Sequence, residues 1–393
     1  MNKTVELNSK AWTNIRSQFL EKRAYYHTGD GSLAEMPHTI CLAVNNYCFM
    51  RCAMCDVGQS IKDKGLRDDQ LFFFHRQTGA EKAYFLPFEA IKKLVDDVAP
   101  YGPIIRANFL EPLTRDDIAD IAEYTTSRGL EFFIITNGYL LPKRAISLLD
   151  AGVRAIRVSL DGPKDIHNRI RGLPDSFDNA MEGLKLVISE KKRRGQDYPL
   201  VGVCLTIQDN NHDRILDFYR ELEAESIAKD VYVAFNHLKY NTAEEALRHN
   251  SKYSDHFPLT KSSLTGTDLA KIDIDVLWDQ FVQIRKEFPR SDYKNHFNPL
   301  LTTKQEFQGW YDPNRYFNPG APCYVPWTIA QVYFDGNVGV NGRCVSPSFG
   351  NILKQSFPEI WNSDSAQAFR RAVVKDTTMP ACNRCNRFFH LQD

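Results

Sequence analysis

The spacing of apolar positions switches period repeatedly along the first two thirds of the chain. Thr39-Ile40-Cys41-Leu42-Ala43-Val44 reads as a strand. After Pro87, the residues Phe88, Ile91, Leu94, Val95 and Val98 recur at helical spacing. A strand-like run over 104–109 follows. Thr114-Arg115-Asp116-Asp117 resembles a capping box with Asp in place of Glu, opening a helix through Ile118, Ile121 and Ala122 that Gly129 closes. Further strands are predicted over 132–135, 155–160, 201–206 and 231–235, with helical patterns over 142–150, 176–190 and 211–224 between them. Repeated strand–helix units imply a parallel sheet, because parallel strands need crossovers. Six such units fall short of a closed eight-stranded barrel. An open partial barrel and a doubly wound sheet both fit, and either places ligands at the C-terminal strand ends.

The pattern then changes. Residues 1–37 carry a weak amphipathic stretch (Trp12, Ile15, Phe19, Leu20) and a turn at Gly29-Asp30-Gly31, read as an N-terminal extension. The strand–helix region spans 38–240. Residues 241–318 form a polar and aromatic linker with one long predicted helix (Leu269, Ile272, Val276, Phe281, Ile284, Phe288). Residues 319–393 form a small α+β unit: strands over 329–334 and 338–340 flank Asp335-Gly336, a hairpin signal, and a helix runs from about 358 to 374.

Lys plus Arg and Asp plus Glu are each 49, so the formal net charge is zero. That balance argues against a chain that coats nucleic acid or an anionic membrane. No apolar stretch approaches the ~18 residues of a membrane span, and the charged start Met1-Asn2-Lys3 has no apolar signal region. A cytoplasmic protein is expected. In that compartment clustered cysteines bind metal or do chemistry.

Seven of the nine cysteines lie in two groups at opposite ends of the chain. Cys48-Phe49-Met50-Arg51-Cys52-Ala53-Met54-Cys55 is a C-x3-C-x2-C triad directly after a strand. Three thiolates on one loop can ligate three irons of a [4Fe–4S] cube. Clusters normally take four cysteines, so the missing ligand reads as an open coordination position. The plainer alternative is a zinc loop, although zinc favours separated pairs. In the second group Cys323 precedes the hairpin, Cys344 follows it, and Cys382-Asn383-Arg384-Cys385 closes the set. Spacing alone leaves a [4Fe–4S] cube and a zinc tetrahedron equally open.

The triad and four further motifs resemble the radical S-adenosylmethionine (SAM) superfamily over residues 38–240. Leu110-Glu111-Pro112-Leu113 ends the second strand, Thr136-Asn137-Gly138 the third and Ser159-Leu160-Asp161-Gly162 the fourth; His167 through Arg171-Gly172 follows. The resemblance implies a partial (β/α)6 TIM-like barrel, a SAM-binding cluster on Cys48, Cys52 and Cys55, and SAM contacts from Glu111 (to the amino group), Asn137, Ser159 and Arg171. Met54 stands where the family has an aromatic residue near the adenine, and Phe109 and Leu110 stand where it has two glycines. The C-terminal unit is similar to a twitch domain, the shortened SPASM domain. That similarity implies one auxiliary [4Fe–4S] cluster on Cys323, Cys344, Cys382 and Cys385.

The family chemistry is reductive SAM cleavage to a 5′-deoxyadenosyl radical that abstracts hydrogen from a substrate carbon, fed by an external donor such as flavodoxin or ferredoxin. A fully ligated auxiliary cluster suits electron transfer. The architecture is similar to that of radical SAM dehydrogenases with one twitch cluster, so the expected activity is an oxidoreductase acting on a small hydroxylated molecule of the sugar or aminocyclitol type. The alternative is a maturase that cross-links or epimerises a ribosomal peptide; there Cys204 would serve as hydrogen-atom donor. A non-enzymatic iron–sulfur scaffold is a third reading, opposed by Glu111 and Ser159 at SAM-binding positions. Asn236 and His237 are expected at the cavity mouth, and Phe72-Phe73-Phe74 is expected to serve packing.

Overall fold

A computed structural model describes residues 32–55, 57–58, 83–253, 257–259, 266–288, 295–317, 323–340, 345, 347–376 and 379–385. The expectations for 1–31, Phe72-Phe73-Phe74 and Cys344 lie outside the described residues.

The chain alternates as its pattern predicts: β1 (Thr39–Leu42), α1 (Phe88–Val98), β2 (Ile104–Ala107), α2 (Ile118–Ser127), β3 (Phe132–Thr136), α3 (Leu141–Asp150), β4 (Ala155–Ser159), α4 (Lys164–Arg171), α5 (Ser176–Arg193), β5 (Leu200–Ile207), α6 (Ile215–Ala224) and β6 (Tyr232–His237). Then come α7 (Ala243–Tyr253), α8 (Ile274–Glu287), β7 (Asn295–Asn298) and α9 (Lys304–Tyr311). The C-terminal part holds α10 (Val325–Thr328), β8 (Ile329–Val332), β9 (Asn337–Val340), β10 (Gly350–Asn351), α11 (Phe357–Trp361) and α12 (Asp364–Asp376).

All these strands belong to one sheet, ordered β10-β9-β8-β1-β2-β3-β4-β5-β6-β7. Every pairing from β8 through β7 is parallel, as helical crossovers between β1 and β6 allow. Two strands extend the six expected from the sequence. β7 reads Asn-His-Phe-Asn and carries no apolar alternation to announce it. β8, from the C-terminal unit, pairs in parallel with β1, so the sheet runs without a break into the antiparallel β8–β9 hairpin.

The two faces of the sheet differ. Ile40, Leu42, Ile105, Phe132, Ile134, Ile156, Val158, Val203, Val233 and Phe235 turn outward into the helix-covered core. The inner face carries a register row through Cys41, Arg106 and Phe133, and another through Ile135, Arg157, Gly202 and Tyr232. Arg157 therefore faces inward, where its Nε donates to Tyr232 Oη at 2.9 Å. Ile104, Phe133, Ala155 and Leu200, backed by Tyr198 and Tyr232, plug the N-terminal end. The C-terminal end stays open.

Several local expectations are corrected. Thr114 does not cap α2. It ends a 3-10 turn over Pro112–Thr114, and its hydroxyl is spent on the Glu111 carbonyl at 2.7 Å. Asp117, the actual N-cap, is held by the Arg115 guanidinium at 2.6 and 2.7 Å instead of by backbone N–H groups. The helix expected from Leu269 onward is interrupted, because the Asp273 carboxylate accepts from Asp275 and Val276 N–H and starts α8 there. The single helix expected over 358–374 is two, with a Ser356–Glu359 capping box opening the first. The hairpin loop is longer than two residues: Gly336 N–H donates to the Tyr333 carbonyl at 2.9 Å, and the left-handed Gly336 (φ +83°) returns the chain.

Candidate active site

The cysteine loop lies over the open end of the inner face, and α4 holds it there. The last carbonyls of a helix lack intrahelical partners. Here the Ile170 carbonyl accepts from Ala53 N–H at 2.8 Å and the Arg171 carbonyl from Arg51 N–H at 3.1 Å. The approach is close enough to need glycine. A Cβ on Gly172 (φ +73°) would stand 2.8 Å from Arg51 Cβ, and one on Gly58 would stand 2.5 Å from Cys52 N.

Cys48, Cys52 and Cys55 line one cavity of about 380 Å³ together with Met54, Asn137, Ser159 and Arg171. Ligand pockets start near this size. The end of β6, Asn236 and His237, and the following Leu238 also line it, and Leu238 packs with Met50, Cys52 and Met54 of the loop. Asp161, fully buried, fixes Arg171 by an ion pair at 2.6 Å, and Arg171 Nη1 reaches 3.7 Å from Cys52 Sγ. Asn137 Nδ2 stands 4.0 Å from Cys48 Sγ.

Burial pushes the Cys52 thiol up to about 12, with Arg171 opposing it, and pushes Cys48 higher still, with Cys52 and Glu111 adding to the effect. Ligation trades these costly protons for metal bonds and releases them. Among the described residues, no three His, Cys, Asp or Glu side chains are grouped to hold a metal ion. A cube binds each thiolate through a different iron, so its ligands stand farther apart than those of one chelated ion. The donor set fits a cluster: three thiols on one loop, with a guanidinium and an amide facing two of the sulfurs.

Glu111 does not line the cavity. It lies fully buried behind the wall. Oε1 accepts from Leu113 N–H at 3.0 Å and Thr136 Oγ1 at 2.7 Å, and Oε2 from Asn137 N–H at 2.7 Å. Burial lifts its pKa to about 7 against these donors. A carboxylate has about four acceptor sites, so one remains. Phe109 and Leu110, just before it, both adopt left-handed backbone (φ +71° and +50°). These are the two glycine positions of the motif, so the conformation persists without the residue that adopts it freely.

Cys204 shares the inner face with Ser159, with its Sγ 3.6 Å from Ser159 Oγ, but it does not line the cavity. Sequence reasoning named His167 and His237 but missed Asn45 and Tyr311, which brace the site with them. Asn45 Nδ2 donates to the Glu111 carbonyl at 3.0 Å, and His167 Nδ1 accepts from Asp161 N–H at 3.1 Å. His237 Nδ1 shares a hydrogen bond with Tyr311 Oη at 2.8 Å, and Tyr311 in turn takes the Leu238 N–H. Burial depresses His237 to about 3, so it stays neutral. In the C-terminal unit Cys323, Cys382 and Cys385 are partly buried, and burial pushes Cys382 to about 12 with the neighbouring Cys385 adding to it.

Parallel strand–helix units with a cysteine triad at their open end define a class. The chain belongs to the radical SAM superfamily, whose family model matches residues 42–222, and the model of an iron–sulfur cluster-binding domain, SPASM, matches 323–386. It is 34% identical over 327 residues to the AdoMet-dependent heme synthase of Methanosarcina barkeri (78% of this chain, 82% of the relative). It is 28% identical over 316 residues to the Fe-coproporphyrin III synthase of the same organism (76% and 73%). Among solved structures it shares the fold of Streptococcus suis SuiB bound to S-adenosylmethionine (TM-score 0.56, 13% identity, 94% of this chain and 76% of that one). It also shares the fold of anSMEcpe with bound AdoMet (TM-score 0.54, 17%, 85% and 83%). The cofactors of this class are a [4Fe–4S] cluster, SAM and auxiliary iron–sulfur clusters. No helix among the described residues is long and apolar enough to cross a membrane.

Proposed function

We propose that this protein is a radical SAM oxidoreductase in which Cys48, Cys52 and Cys55 hold the SAM-site cluster and Cys323, Cys344, Cys382 and Cys385 an auxiliary one. The observation that carries this reading is the convergence of the triad, Asn137, Ser159 and Arg171 on a single cavity at the strand ends. Bound there, cluster and SAM would supply radical chemistry for hydrogen abstraction from a substrate carbon, and the auxiliary cluster would supply an acceptor for the second electron. The chain's own residues do the rest. α4 and Asp161 hold the loop and Arg171 in place. Glu111 fixes the Thr136–Asn137 turn from behind the cavity wall, and its last acceptor site would take the SAM ammonium where the bound cofactor meets that wall. Ser159 and Met54 line the same cavity, where both would contact SAM. An external one-electron donor of the flavodoxin or ferredoxin kind completes the cycle.

The substrate reading is a small hydroxylated molecule of the sugar or aminocyclitol type, oxidised at a carbinol carbon. The polar inner surface of Ser159, Thr206 and Asn236 at the cavity supports it. A second reading, a tetrapyrrole substrate, is favoured by the likeness to the heme and Fe-coproporphyrin III synthases. Carbinol-deuterated aminocyclitols and sugars, offered to the anaerobically reconstituted enzyme, test this. Deuterium in 5′-deoxyadenosine supports the first reading. Stimulation of 5′-deoxyadenosine by tetrapyrroles alone replaces it with the second.

A further inference from the structure

Buried side-chain hydrogen bonds hold the turn between Cys382 and Cys385. Arg384 has φ +53°, a backbone region that glycine enters freely and arginine does not. Its side chain is buried and each of its nitrogens is engaged. Nε donates to the Trp310 carbonyl at 2.7 Å, Nη2 to the Asp312 and Arg315 carbonyls, and Nη1 to Glu245 Oε1 at 2.6 Å. The guanidinium also lies over the Tyr240 ring at 4.5 Å. Glu245, on α7, is buried as well; it accepts from Asn383 Nδ2 and, through Oε2, from Thr242 N–H at 2.7 Å. Asn241 Nδ2 donates to the Ala381 carbonyl at 3.0 Å.

The same network reaches the SAM cavity. The Trp310 carbonyl also accepts from Tyr240 Oη at 2.6 Å, and the Trp310 indole N–H donates to the Leu238 carbonyl at 2.9 Å. Leu238 lines the cavity. A buried ion pair thus stands where the C-terminal cysteine turn meets the end of β6.

The reduction potential of a thiolate-ligated cluster follows its net charge, its burial and its surroundings. Reduction adds one electron, so a nearby uncompensated cation favours the reduced form and an uncompensated carboxylate disfavours it. In the dry interior these effects are weakly screened.

We propose that Arg384 and Glu245 are positioning residues that set the reduction potential of the auxiliary cluster: Arg384 docks the Cys382–Cys385 turn onto the barrel, and Glu245 cancels its charge. The inference rests on the assignment of Cys382 and Cys385 as cluster ligands.

The test is an EPR-monitored redox titration of the full-length holoenzyme, with iron counted in each sample. Glu245→Gln leaves the cation uncancelled, and Arg384→Gly keeps the turn's backbone freedom but leaves the carboxylate uncancelled. The expected result is parental iron content with opposite shifts of the auxiliary signal: a more positive potential in Glu245→Gln and a more negative one in Arg384→Gly. Shifts of the same sign, no shift, or loss of the auxiliary irons in Glu245→Gln would overturn the proposal. If Arg384→Gly alone loses iron, the sign of the Glu245→Gln shift decides. A parent enzyme without a second cluster signal overturns the ligand assignment itself, which is a different failure.

Discussion

At the scale of single residues, the most informative group is Glu111. Its motif position was legible only through the family resemblance, as the Glu-Pro that ends the second strand, and its surroundings were not. The sequence does not show that three donors already occupy it or that burial lifts it to about 7. The sign follows from that value. Below about pH 7 the carboxyl is protonated and offers no charge to an ammonium; above it, the carboxylate is free to do so. SAM affinity is therefore expected to rise as pH increases through 7. Glu111→Gln removes a charge-assisted hydrogen bond worth roughly 1.5–3 kcal/mol, so SAM binding should weaken about 10- to 100-fold, with iron content unchanged and the pH dependence lost. Equilibrium dialysis of SAM at pH 6 and pH 8 reads both effects, and unchanged affinity would leave Glu111 as a turn brace only. Cys204 gives the opposite expectation. An oxidation needs no hydrogen-atom donor, so Cys204→Ala should keep turnover within about twofold, and loss of product with SAM cleavage continuing would favour the epimerase alternative. The inward direction of Arg157 could not be read from alternation alone, because Ile156, Arg157 and Val158 fit either face until the neighbouring strands fix the register.

At the scale of elements, the site depends on the contact between α4 and the cysteine loop. Sequence periodicity found the six barrel strands, the hairpin and most helices because each buries an apolar face. It did not find α4, whose eight residues include mostly polar groups and whose role is to present carbonyls to the loop. Nor did it find β7, which lacks an apolar pattern. Gly172 and Gly195 offer a matched test. Both follow a helix with positive φ, but a Cβ on Gly195 meets nothing within 4 Å, whereas one on Gly172 runs into Arg51. Ala at either position carries the left-handed penalty of about 1–2 kcal/mol. Only Gly172→Ala should also displace the loop and lose about four irons on reconstitution. Equal iron content in the two variants would show that the loop tolerates the displacement.

At the scale of the whole molecule, two cysteine groups separated by 268 positions, from Cys55 to Cys323, are joined by one continuous sheet. The parallel pairing of β8 with β1 attaches the C-terminal hairpin directly beside the strand that launches the triad. Cysteine counting predicted two groups, but it could not predict this junction, because pairing between distant strands leaves no local signal in either one. The account expects about eight irons per chain, falling to about four when either group is removed. Cys382→Ala with Cys385→Ala should retain SAM cleavage yet stop product formation, whereas zinc in that site of anaerobically purified protein would exclude the auxiliary cluster. The central claim is that the Cys48, Cys52 and Cys55 loop is where SAM is cleaved. Its most direct test is quantitation of 5′-deoxyadenosine from anaerobically reconstituted protein with SAM and dithionite, comparing the parent with the Cys48→Ala, Cys52→Ala, Cys55→Ala triple variant. The account predicts 5′-deoxyadenosine from the parent and none above background from the variant; equal formation by both would contradict it.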